Sequence, residues 1–355
     1  MNKSIRLAVA LAVGTSAGLA QAETVYCVHD DGLNDSQFCY VPIPPANQVL
    51  PLLPLPVPPG APPITYENCD IEALDIRHGN DLLFAASGDD TPRKGHLYFV
   101  ETDNLVGARG DIFDLGNVVA RPLEAVKEID AISFHPTTDD LWGWAQDRGL
   151  FVIPQASVPL PQEGTQVIST CQERIDPPVK DIPARMVIVP KEEMEIESIT
   201  WNQNGTALFG VENCHTDHPD SHGAPEDGWG SPAYNYDTDC GIKIWRGIDP
   251  ITPASWMQVC ENLFDEGETP QPVAEIEAIE SLPPGFGAKI GIMVPPGGDL
   301  VLIGFHGPNQ LSYAVLFIPP APGAACAIVW EGGINSKPFN DIEGLAYSPL
   351  PIPIP

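Results

Sequence analysis

One short phrase recurs five times along the chain: an acid, isoleucine, an acid, a small residue, then leucine or isoleucine. The copies are Asp70-Ile71-Glu72-Ala73-Leu74, Glu128-Ile129-Asp130-Ala131-Ile132, Glu195-Ile196-Glu197-Ser198-Ile199, Glu275-Ile276-Glu277-Ala278-Ile279 and Asp341-Ile342-Glu343-Gly344-Leu345. The second acids lie 58, 67, 80 and 66 residues apart. Such a period marks an array of supersecondary units, each too small to bury its own apolar faces.

Similar runs follow each phrase. After Glu72 come Leu82-Leu83-Phe84-Ala85-Ala86, His96-Leu97-Tyr98-Phe99-Val100 and Asp111-Ile112-Phe113-Asp114-Leu115. After Asp130 come Leu141-Trp142-Gly143-Trp144 and Gly149-Leu150-Phe151-Val152-Ile153. Short apolar runs between Asp, Gly, Asn and Pro turns read as the strands of four-stranded propeller blades. With 40 prolines and 32 glycines in 355 residues, the chain is expected to be all-β.

Only 12 residues follow Glu343, too few to finish a blade. Thr24 to Asp30, Gln37 to Ile43 and Gln48 to Leu53 can supply the missing strands. The expected fold is therefore a five-bladed β-propeller over residues 23–355, its last blade closed by a C-terminal inner strand and N-terminal outer strands. Closure of this kind removes an open sheet edge. Residues 42–63, ten of them proline, must then form an outermost strand, where proline is tolerated. The alternative is a polyproline linker that leaves Glu23 to Val41 as a separate module.

Residues 1–22 have the form of an export signal. Lys3 and Arg6 precede an apolar stretch from Leu7 to Val13, and Ala20-Gln21-Ala22 is a small-x-small cleavage site. No stretch is long and apolar enough to span a bilayer as a helix. A periplasmic or extracellular location follows. There the eight cysteines can form up to four disulfides, and no Cys-x-x-Cys redox motif is present. Cys27–Cys39 across a hairpin and Cys214–Cys240 around a loop are the expected pairs. The spacing of Cys69, Cys171, Cys260 and Cys326 leaves their connectivity open. A net charge of −31 disfavours nucleic acid and anionic lipid as partners. It favours cations, or a small molecule or protein carried by cations.

The repeated acids give the charge a location. If each phrase begins an innermost strand, Glu72, Asp130, Glu197, Glu277 and Glu343 converge on one ring at the channel mouth, with the first acids beside them. Two unit charges about 6 Å apart repel by roughly 3 kcal/mol at an effective dielectric of about 20. A full ring would cost on the order of 14 kcal/mol, comparable with the stability of a domain. Bound Ca²⁺ on six to eight oxygens resolves this most simply. The competing reading is that the acids cap strand ends and bind backbone N–H groups or water.

The phrase resembles the inner-strand signature of secreted propellers of the phytase-like esterase group and of the calcium-activated apyrases. Asp341-Ile342-Glu343-Gly344-Leu345-Ala346-Tyr347 carries the likeness most fully. The resemblance implies a propeller and a channel cation, with the five second acids as its candidate ligands.

A second candidate site lies in the loop from Cys214 to Cys240. His215, His218 and His222 fall within eight residues there and could hold Cu²⁺ or Zn²⁺ through neutral ring nitrogens. A solvated loop pinned by a disulfide accounts for them equally well. No nucleotide-binding or zinc-hydrolase motif occurs in the mature chain. Arg93, Lys94 and Arg148 are the basic residues placed to hold a phosphoester. Three readings remain: a calcium-binding ligand- or protein-binding module, a Ca²⁺-dependent phosphoesterase or lactonase-like hydrolase, and a copper- or zinc-binding protein.

Overall fold

Apolar runs buried on both sides become strands that need a sheet packed against each face. The computed structural model describes residues 23–30, 34–43, 50–53, 63–120, 124–145, 148–162, 165–172, 180–187, 196–212, 243–260, 275–306, 313–320, 326–332 and 342–350. Within them the chain is almost entirely β, folded as successive antiparallel meanders. The first runs through Ile71–Arg77, Leu82–Ser87, His96–Val100 and Ile112–Ala120. The next uses Ala131–Phe134, Leu141–Ala145, Gly149–Ile153 and Ile182–Met186. Ile182–Met186 also pairs in parallel with Ile112–Ala120, fusing these two meanders into one ten-stranded sheet. Two separate four-stranded sheets follow. One is Ser198–Trp201, Leu208–Glu212, Lys243–Gly247 and Trp256–Cys260; the other is Glu275–Leu282, Asp299–His306, Tyr313–Ile318 and Ala327–Gly332.

The remaining sheet is built from both ends of the chain. Ile342–Ser348 pairs antiparallel with Glu23–Asp30, which pairs with Ser36–Ile43, which in turn pairs with Leu50–Pro51. The expected closure is thus present as hydrogen-bonded register, with Val25 opposite Tyr347 and Cys27 opposite Leu345. Among the described residues of the proline-rich stretch, Pro42 and Ile43 end Ser36–Ile43, and Leu50–Pro51 pairs at the sheet's outer edge, where a missing N–H is tolerated. The 1–22 segment lies outside the described residues.

The five strands that begin at the repeated phrase pack side by side, each against the next and the last against the first. Five buried clusters fill the spaces between neighbouring sheets. Strand alternation directs the side chains to them: Val25 and Cys27 enter the cluster with Leu302 and Val315, whereas Tyr26 and Val28 enter the one with Ile76 and Leu83. This is a propeller-like arrangement of sheets around an axis.

A hydrogen-bond ladder joins the inner strands near that axis. The third residue after the second acid is Asp75, Ser133, Thr200, Glu280 or Ala346. In four cases its side chain accepts a backbone N–H from the next inner strand. Phe134 N–H donates to Asp75, Trp201 N–H to Ser133 (3.0 Å), Ser281 N–H to Thr200 (3.0 Å) and Tyr347 N–H to Glu280 (3.1 Å). Ala346 has no acceptor. At that seam Ile76 N–H turns instead to Asp75 on its own strand, at 2.7 Å. One carboxylate therefore satisfies two buried donors, and neither is left to its desolvation cost.

Among the described residues three disulfides reinforce the ring. Cys27–Cys39 lies across paired strands as expected, with Cα atoms 4.8 Å apart. Cys69–Cys171 spans 102 residues between the first two meanders, and Cys260–Cys326 links the outer ends of the next two. The Cys214–Cys240 pair lies outside the described residues. Disulfides of this number mark a chain from an oxidising compartment, and no described helix is long and apolar enough to cross a membrane.

The closing seam gives a direct test. A methyl group on Gly344 would meet Leu74 N at 2.8 Å and Val28 Cγ1 at 3.0 Å. Gly344→Ala is expected to cost about 1–3 kcal/mol in urea unfolding, an overpacking penalty. An unchanged midpoint would mean that the inner strands do not approach this closely.

Candidate metal centre

The second acid of the phrase sits where the inner strand departs from regular pairing. Register slips between Ile71 and Ala73, between Ile276 and Ala278, and opposite Val28 and His29 where Glu343 is passed over. Glu72, Glu277 and Glu343 are thus the extra residues of β-bulges, a device that re-aims a side chain. Asp130 and Glu197 immediately precede their strands, and Glu197 N–H donates to Val211 O at 3.0 Å. Of the first acids, Glu195 and Asp341 lie outside the described residues, and Asp70 is placed differently from the second acids. Asp70 has a left-handed backbone (φ 48°), so turn geometry rather than strand alternation sets its direction.

Three carboxylates converge. Ligand oxygens of Glu72, Glu128 and Asp130 lie within 4.8 Å of one another. Asp130 is buried and the other two are partly buried. Glu72 also feels the charges of Asp70 and Glu343. The acids of three consecutive inner strands therefore gather on one side of the ring. Glu197 and Glu277 occupy the equivalent positions on the remaining two strands, both partly buried, and are not part of the tight trio. Gly88 makes room for the group, since a side chain there would collide with the Glu72 carboxylate.

Electrostatics in this cluster oppose ionisation. Burial, followed by the charges of Asp70, Asp130, Glu128 and Glu343, pushes the Glu72 carboxyl well above its ordinary range. Burial pushes Asp70 up to about 7, with Asp90, Glu343 and Asp89 adding to the rise; the Asp90 N–H that donates to Asp70 Oδ2 at 2.8 Å works against it. Such a set holds protons at neutral pH or trades them for a hard cation on oxygen ligands.

Deeper in the ring lie Asp75 and Glu280, two acids outside the repeated phrase. Burial raises Asp75 to about 7 despite the N–H groups of Phe134 and Ile76 and the Ser133 side chain. Burial and the charge of Asp75 raise Glu280 well above normal. Aligning the five copies of the phrase would have revealed this position, where a buried strand carries a polar residue in four of five cases.

The basic candidates are committed elsewhere. Arg93 is buried, its Nη1 2.5 Å from Asp114 Oδ2 and its Nε donating to Cys171 O. Lys94 pairs with Asp89 at 3.4 Å on the surface. Arg148 is half-buried beside Gly149–Ile153. His215, His218 and His222 lie outside the described residues, between Leu208–Glu212 and Lys243–Gly247.

The raised carboxyls dictate a sign for pH dependence. Asp70 binds its proton more tightly when folded than when unfolded, where it titrates near 4. Its contribution to stability is complete below that value and is lost as pH rises through about 7. Metal-free protein should therefore become less stable from about pH 4 to 7, and Asp70→Asn should shrink that fall by on the order of 2 kcal/mol. A pH series of urea midpoints reads both, and an unchanged slope in the variant contradicts the assignment.

No family model and no curated protein matches the chain. Among solved structures, a crystal structure of TolB from Acinetobacter baumannii is similar at 9% identity and a TM-score of 0.41, covering 92% of this chain and 66% of that one. The chain thus spans less than two thirds of that protein's length, and the likeness is too slight to assign a function.

Proposed function

We propose that the chain is an exported five-bladed β-propeller that binds Ca²⁺ at the mouth of its channel and serves as a ligand- or protein-binding module. The convergence of Glu72, Glu128 and Asp130 carries this reading. At that separation and an effective dielectric of about 20, each ionised pair repels by roughly 3 kcal/mol. A divalent ion removes the repulsion, and three carboxylates can supply up to six oxygens of its shell. Glu343 and Asp70 extend the negative field on the same side. The five repeated phrases, with their five inner strands in cyclic contact, support the blade count. The resemblance to phytase-like esterases and calcium-activated apyrases fits the same cation.

Binding is favoured over phosphoester hydrolysis by the use of the basic residues. Hydrolysis of an anionic ester profits from cationic side chains free to hold it. Here Arg93 is held by Asp114 inside the protein and Lys94 by Asp89.

Calcium should raise the melting temperature of the mature protein by roughly 5 °C or more at about a hundred times its Kd, and chelation should reverse the rise. Glu72→Gln with Asp130→Asn should abolish the effect. Glu197→Gln with Glu277→Gln separates two geometries: the shift persists if the ion sits on the one-sided trio and disappears if all five acids hold it. No rise with wild-type protein would remove the calcium reading. Elemental analysis of the same sample would report copper or zinc at His215, His218 and His222.

A further inference from the structure

The ladder between inner strands uses two chemistries for one task. Ser133 and Thr200 accept the neighbouring N–H through neutral hydroxyls. Asp75 and Glu280 do the same work through carboxyl groups at 3% and 5% exposure. Their second oxygens are also engaged, Asp75 with Ile76 N–H and Glu280 with the Thr200 hydroxyl at 3.3 Å. Among the described residues neither pairs with a lysine or arginine. A hydroxyl would latch each seam without introducing a charge, so the carboxyls bring a property the other seams lack.

We propose that Asp75 and Glu280 are proton-dependent latches, which hold two seams of the ring when protonated and loosen them on ionising, while the hydroxyl-latched seams do not respond.

The physical basis is that burial disfavours the charged form, and two unpaired negative charges within one interior disfavour each other. Both groups rise above the ordinary carboxyl range, as this requires. The surroundings offer little compensation. Ser133 faces Asp75 from the next inner strand, and Thr200 faces Glu280 from the preceding one. Tyr347 on the closing strand interacts with Glu280 and hydrogen-bonds to Glu23, which pairs with Lys289. Arg77, two residues beyond Asp75, is paired with Asp139 at 3.5 Å. On the outer side Asp299 is paired with Arg246. The cations nearby are therefore engaged by other acids, and ionised Asp75 and Glu280 must draw in water to be stabilised.

Hydrogen exchange on the intact mature protein at saturating Ca²⁺ tests this seam by seam. Saturation keeps the acids at the mouth loaded throughout. Protection is compared between about pH 6 and about pH 8.5, on either side of the value near 7 to which burial raises Asp75 and in the direction in which burial raises Glu280, after correction for the chemical exchange rate. Segments 131–134 and 342–348, which carry the donors to Asp75 and Glu280, should lose protection by roughly tenfold or more, the equivalent of one pKa unit. Segments 198–201 and 275–282, latched by Ser133 and Thr200, should change less. Asp75→Ser with Glu280→Thr, which installs the hydroxyls of the other seams, should erase the difference. Should that variant fold poorly, Asp75→Asn with Glu280→Gln has the same expected outcome. An equal loss at all four segments, or a wild-type response retained in the folded variants, overturns the proposal.

Discussion

Every sheet in this protein has two apolar faces, and each face must find another sheet. Burying a phenylalanine or leucine side chain is worth about 1.5–3 kcal/mol, and the five clusters between sheets contain many of them, such as Phe84 against Phe134 with ring centres 5.1 Å apart. A row of such sheets has no natural end, because the last would leave an apolar face in water. Curving into a ring is the solution that leaves none exposed. It also explains why the closing sheet draws on both ends of the chain: Ile342–Ser348 alone could not cover the faces of its two neighbours.

Closure brings the inner strands near one axis, and close approach creates the electrostatic problem among the repeated acids. The phrase handles both demands. Its small fourth residue admits the neighbouring strand, as Gly344 does against Leu74 and Val28. Its second acid leaves the regular ladder, at a bulge for Glu72, Glu277 and Glu343 and just before the strand for Asp130 and Glu197, so its direction is set apart from the alternation that fills the core. Packing and the gathering of charge thus use different residues of the same five. The deeper position follows a different logic, because its polar groups serve the backbone first and any charge is an added burden.

Much of the architecture was legible because repetition is visible in a single sequence. The five phrases located the inner strands, and the residues missing after Glu343 pointed to Glu23 and its neighbours. The Cys27–Cys39 pair followed from local hairpin geometry. The pairings of Cys69 with Cys171 and of Cys260 with Cys326 did not, because they join neighbouring meanders across 102 and 66 residues rather than the arms of one hairpin. The grouping of acids was legible as a tendency but not as a geometry. Glu128 joins Glu72 and Asp130 from the irregular segment before Ala131–Phe134, and a left-handed Asp70 is invisible to a strand-period argument. The ladder of Asp75, Ser133, Thr200 and Glu280 was hidden by its varied chemistry, since acids and hydroxyls there share a task without sharing a residue type.

The pairing of Glu23–Asp30 with Ile342–Ser348 also imposes an order on assembly. The two separate four-stranded sheets can form from local antiparallel pairings as soon as their residues are available. The N-terminal pair of strands, although made first, must wait for nearly the whole polypeptide before it gains its innermost neighbour. Contacts of such sequence separation are slow to form. During that interval one flank of Glu23–Asp30 is an unpaired template, and a chaperone or a neighbouring molecule that reached it first would compete with the chain's own last strand.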